Sequence, residues 1–259
     1  MRQLIGGPRP EAVFALAPLL ASALAAGPAT AADLSDARAF RLDNGLRVLV
    51  LHDSAHPVVA VQALYTVGAR CETSGITGIA HFVEHMLFRG TESFGPAEVT
   101  GVIERAGGEW HGYTSLDLTT YFEAAPSDLL PTLLRLEAER MTRGRLAAEE
   151  VEAERGAVFQ EYRGYQLDPR TELFDETTAL LFRQHPYRNN TMGWESDLRA
   201  IDHEDLVAFY RRDSGPRNAV LAIAGDFDPD GIEEQVKEAF GAIPPAGATT
   251  RVRTVEPPL

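Results

Sequence analysis

The chain has 259 residues, 44% hydrophobic and 24% charged, an ordinary globular composition with room for one large or two small domains. Net charge is −14, Lys237 is the only lysine, and no basic cluster or arginine stripe appears, so nucleic acid is excluded as a partner. Cys71 is the only cysteine, which excludes an internal disulfide and leaves the fold to stand on its core.

The N-terminus reads as a targeting segment. Arg2 and Arg9 precede an Ala- and Leu-rich run from Ala12 to Ala26, and Ala29-Thr30-Ala31 supplies a small-x-small cleavage pattern. Residues 1–31 are therefore expected to be a signal peptide, with the mature protein periplasmic or secreted. An uncleaved N-terminal membrane anchor is the lesser alternative, because the run is short and weakly apolar for a span.

Asp43-Asn44-Gly45 between Arg38–Leu42 and Leu46–Leu51 predicts a β-hairpin. Pro57–Val67 alternates as a third strand. Apolar Ile79, Phe82, Val83, Met86 and Leu87 then recur at helical spacing, so a helix is expected over about 78–89, capped by Thr77 and stopped by Gly90. A second helix is expected over Pro96–Ala106, then strands at Glu109–Thr114 and Leu118–Ala125. Helices follow from Ser127, Ala147, Thr171 and Asp202, with His185–Asp197 irregular between the last two. A strand at Asn218–Ala224 and a helix from Asp228 to Phe240 close the pattern. Strands first and helices after them predict an α+β two-layer sandwich, with helices on one face of a mostly antiparallel sheet. Residues 32–242 form the expected domain, and the Pro-punctuated residues 243–259 a linker or tail.

On the helix over 78–89, His81, Glu84, His85 and Phe88 form a second stripe. Two imidazoles at i and i+4 point the same way and can hold one metal ion, with Glu84 beside it. The plain alternative is a solvated polar face. A catalytic zinc site needs a third protein ligand. Glu154 and Glu161 share helical spacing with Val151, Val158 and Tyr165, a face that tends to be buried. Each carboxylate there wants a metal or an arginine.

The segment His81–Thr91, containing His-x-x-Glu-His, and Glu161, 76 positions after His85, resemble the M16 (insulinase/pitrilysin, mitochondrial-processing-peptidase-like) family of zinc peptidases. Gly107-Gly108 with Thr114 and Asp117–Tyr121, His185-Pro186-Tyr187-Arg188 with Gly193-Trp194, and Asn218–Val220 with Ala224-Gly225-Asp226 extend the resemblance over about residues 36–243. It implies a LuxS/MPP-like metallohydrolase fold. It further implies one Zn2+ per chain on His81, His85 and Glu161, Glu84 as general base, and Glu154 behind the ligands orienting a histidine or the water. Where the family has Asn-Ala in its substrate-pairing edge strand, this chain has His111-Gly112. Gly112 keeps backbone access for an extended peptide, and His111 leaves that contact open.

The resemblance also implies a second M16-like half, in the same chain or in a partner subunit. The reading that follows is a zinc metalloendopeptidase domain cutting peptides or small unfolded proteins. The alternatives are a non-catalytic partner or scaffold subunit, against which the intact motif argues, and a LuxS-like small-molecule hydrolase.

Overall fold

Asn44 turns the chain by tying the hairpin to the far end of the domain. Its Oδ1 accepts from Leu46 N at 3.1 Å and its Nδ2 donates to Phe240 O at 2.8 Å, while Gly45 supplies the left-handed position at φ 100°. The hairpin joins β1 (Arg38–Arg41) to β2 (Arg47–His52), as expected. The computed structural model describes residues 36–247 and 252–258, so the signal-peptide expectation for residues 1–31 lies outside the described residues.

The remaining strands are β3 (Val58–Tyr65), β4 (Glu109–Thr114), β5 (Thr119–Pro126) and β6 (Ala219–Gly225). They make a sheet ordered β1-β2-β6-β3-β5-β4, antiparallel throughout except for the parallel pair β2–β6, with β4 at an edge. In β3, Val59, Val61, Ala63 and Tyr65 are buried and the residues between them are not. That period of two puts one face on the core and one toward solvent.

The helices are α1 (Ile79–Met86), α2 (Glu98–Arg105), α3 (Leu130–Thr142), α4 (Val151–Gln166), α5 (Pro169–Leu181), α6 (Glu195–Ala200), α7 (His203–Asp213) and α8 (Ile232–Phe240). Phe82 and Met86 of α1, Leu133 and Leu136 of α3 and Leu206 of α7 join Val48, Val61, Tyr121 and Leu221 of the sheet in one core. On the opposite sheet face Leu49 and Tyr113 stay exposed. The architecture is the α+β two-layer sandwich expected from element order. Among the described residues, no helix is long and apolar enough to cross a membrane.

Several element starts differ from expectation, each for a local reason. Ser127 opens a 3-10 turn over Ser127–Leu129 before α3, and no side chain caps that helix. Asp228 makes a turn instead of a helix start, its carboxylate accepting from Asp230 N at 3.1 Å, and α8 begins four residues later. Asp168 caps α5, so that helix begins at Pro169 and not at Thr171. Asp202 caps α7 with a complete capping box shared with Asp205.

Candidate metal centre

The two stripes of α1 separate as their spacing requires. Ile79, Phe82, Val83 and Met86 face the core, while Glu84, His85 and Phe88 line a cleft of about 420 Å³ with Trp110, Gly112 and Glu161. Thr77 does not cap the helix. Its hydroxyl donates to Asp197 at 2.7 Å and accepts from Trp194 N at 3.0 Å, and the cap position passes to Gly78 at φ 86°.

One turn of helix brings His81 Nε2 and His85 Nε2 to 3.2 Å. Glu161 reaches over from α4, its Oε2 lying 3.2 Å from His81 Nε2 and 3.5 Å from His85 Nε2. Among the described residues these three form the group whose ligand atoms all lie within 4.8 Å of one another. A tetrahedral ion bound at ~2.0 Å sets its ligand atoms ~3.3 Å apart, so two imidazoles and a carboxylate at these separations fit a metal, with the cleft side open.

Glu161 departs from the buried face expected of it. The buried line of α4 runs Val151, Glu154, Val158 and Tyr162, so Glu161 falls at its margin, its side chain 55% exposed at the cleft. The hydrogen bond from His81 and the charge of His85 hold its carboxyl below the usual range. Glu154 is buried as expected and accepts from His85 Nδ1 at 3.1 Å, with Arg89 Nε at 2.6 Å from its other oxygen. Burial works against a charged His85 ring, but the Glu154 hydrogen bond and the charges of Glu161 and Glu84 outweigh it and raise the pKa.

Glu84 is 6% exposed, so the stripe is not a solvated face. Burial raises its carboxyl pKa, opposed by the Thr114 hydrogen bond and the two histidines. Thr114 Oγ1 donates to Glu84 Oε2 at 2.6 Å, and the other oxygen faces Gly112, where an added Cβ would lie 2.8 Å from Oε1. Alternation along β4 turns Trp110, Gly112 and Thr114 toward α1, while His111 is exposed with Glu109 and Tyr113 and borders the cleft at its rim. His111 is therefore outside the ligand group.

Two contributors escaped the sequence reading, although their spacing carried a signal. Arg89 follows His85 by four residues in the turn just past α1, and Thr114 follows Gly112 by two on β4. Behind them, Arg140 is buried between Glu123 and Glu137, its guanidinium 4.6 Å from the Tyr121 ring and 5.2 Å from that of Phe88. Two carboxylates around one guanidinium leave a negative charge in excess, and burial pushes Glu123 up to about 6.

The sequence profile of Insulinase (Peptidase family M16) matches residues 47–195, and that of the Peptidase M16 inactive domain matches residues 200–259. The chain is 32% identical to a Mycobacterium bovis protein named an uncharacterized zinc protease, over 83% of this chain and 49% of that one. It is 30% identical to the mitochondrial-processing peptidase subunit beta of Bos taurus, over 100% of this chain and 55% of that one. The crystal structure of the first half of the periplasmic protease PqqL from Escherichia coli superposes with a TM-score of 0.77 at 26% identity, covering 84% of this chain and 48% of that one. The chain thus spans about half the length of the relatives it matches. It belongs to the insulinase peptidase family M16.

Proposed function

We propose that this chain is the catalytic portion of an exported zinc metalloendopeptidase acting on peptides or small unfolded proteins. In this reading His81, His85 and Glu161 hold one Zn2+, Glu84 is the general base and Glu154 orients His85. The observation that carries it is the convergence of His81 Nε2, His85 Nε2 and Glu161 Oε2 at 3.2–3.5 Å beside a buried Glu84. Relatives named zinc proteases support zinc as the ion.

Zinc held there supplies Lewis acidity and lowers the pKa of a bound water to ~7. The chain's own groups do the rest. Thr114 fixes Glu84 Oε2, which leaves Oε1 to take the proton from the attacking water and return it to the leaving amine. The edge strand β4 offers its backbone beside Glu84 to an extended peptide. Residues 32–242 make up the catalytic domain and residues 243–259 lead toward a second M16-like half, as the 49% coverage of the first-named relative supports. Export rests on the N-terminal pattern and on the periplasmic relative.

An added methyl at 112 would press on Glu84 Oε1 and come within 2.7 Å of the Phe88 ring. Relieving those contacts displaces Glu84 Oε1 from its place, so Gly112→Ala is expected to lower kcat/KM by about 10- to 100-fold with zinc still bound. Equal rates in both proteins would mean that the chemistry does not depend on where Glu84 Oε1 stands beside Gly112.

The reading is tested with an internally quenched peptide, assayed with this chain alone and with a second M16-like half supplied. Hydrolysis is expected to need the second half, to stop on chelation and to return with zinc. Zinc needs His85 neutral, and a raised pKa keeps its proton on to higher pH. At limiting zinc the rate is therefore expected to fall on acidification with a midpoint above the ordinary histidine value of about 6.5. Hydrolysis indifferent to chelation would overturn the proposal.

A further inference from the structure

The first turn of α1 places His81 only three residues into the helix, at the end where backbone N–H groups have no partner inside it. The helix has no side-chain cap of its own, because Gly78 holds the cap position. Its donors go instead to a residue outside the helix. Glu72 Oε2 accepts from Gly78 N at 2.8 Å and Glu72 Oε1 accepts from Ala80 N at 2.9 Å. Asp197, at the start of α6, takes the donors just upstream, from Gly75 N at 3.1 Å and from Thr77 N at 3.2 Å, besides the Thr77 hydroxyl.

Glu72 is 5% exposed and burial pushes its carboxyl up to about 8, but both of its oxygens face N–H donors, an arrangement that only the ionised form satisfies at both. A carboxylate in such a place is expensive, and the two amides with the positive end of α1 are what offsets it. Each oxygen serves a different peptide plane, so both planes are fixed at once. One of those planes is only one residue before His81. A helix turns about 100° per residue, so a one-residue register shift of α1 against its neighbours would swing both imidazoles away from Glu161.

We propose that Glu72 is a positioning residue for the metal centre, its two hydrogen bonds setting where α1 begins and thereby the direction in which His81 and His85 point. The inference rests on the assignment of His81, His85 and Glu161 as the zinc ligands.

The test uses the chain as it stands, with Glu72→Gln, Glu72→Asp and the comparison variant Glu139→Gln. Glu139 is an equally buried carboxylate that holds a loop through Thr91 Oγ1 at 2.7 Å and Ser93 N at 2.9 Å, and it touches neither histidine. Glutamine offers one acceptor where two are needed, and aspartate is one methylene too short to reach both N–H groups. Zinc affinity is measured by competition with a chromophoric chelator, the d–d absorption after cobalt(II) loading reports ligand geometry, and melting of the metal-free chain reports the fold. Glu72→Gln is expected to weaken zinc about 10- to 100-fold and to shift the cobalt bands. Glu139→Gln is expected to lower the metal-free Tm while keeping both metal readouts. If Glu72→Gln does not fold, Glu72→Asp carries the same expectation. Unchanged zinc affinity and cobalt bands in a folded Glu72 variant would overturn the proposal. A parent chain that binds no zinc would instead overturn the ligand assignment beneath it.

Discussion

Glu84→Gln is expected to cripple peptide hydrolysis and leave zinc in place. Glu84 stands outside the ligand group, so its loss takes no donor from the ion. Glutamine has nearly the same shape, and its amide oxygen can still accept from Thr114 Oγ1, now 2.6 Å from Glu84 Oε2. It cannot accept the proton that attack releases. General-base catalysis contributes about 10²- to 10⁴-fold, which is the expected fall in kcat/KM on an internally quenched peptide. Burial favours the protonated carboxyl while Thr114, His81 and His85 favour the ionised one, a balance suited to a group that must take a proton and return it. A variant that keeps its rate would remove Glu84 from the chemistry. A variant that loses its zinc would make Glu84 part of the binding site.

Removing both imidazoles acts on binding itself. With His81→Ala and His85→Ala together, only Glu161 remains of the three proposed ligands, and its side chain is 55% exposed. A single exposed carboxylate holds zinc weakly, because water competes for the ion and no second donor closes a chelate. Zinc bound to the folded parent chain stabilises it by mass action, by about 2.7 kcal/mol at a hundredfold excess over Kd. The doubly substituted chain is expected to lose that response, its Tm standing still as zinc is added while the parent's rises. A rise in both would place the zinc elsewhere.

Much of this was legible along the chain. The Asp43-Asn44-Gly45 hairpin, the β4 boundaries, the two stripes of α1 and the Asp202 cap all depend on residues within a few positions of one another. What stayed hidden depends on partners far away in sequence. Thr77 looked like a cap because Asp197, 120 positions on, was out of view. Glu72 drew no notice, since a lone glutamate in a loop has no periodicity to mark it. The parallel pairing of β2 with β6 joins segments separated by most of the domain, and alternation identifies a strand without naming its neighbours. The structure brings Glu161 beside the two histidines, but from the exposed margin of α4 and not from the buried face its spacing predicts. Tyr162, the next residue, takes the buried place on α4, which leaves Glu161 the open side.

The central claim is that His81, His85 and Glu161 make a metal site. It is tested most directly by counting zinc in the purified chain, dialysed against metal-free buffer, beside the chain carrying His81→Ala and His85→Ala. The expected result is about one zinc per parent chain, as a tetrahedral three-ligand site would hold, and none in the variant. Equal zinc in the two proteins would contradict the site.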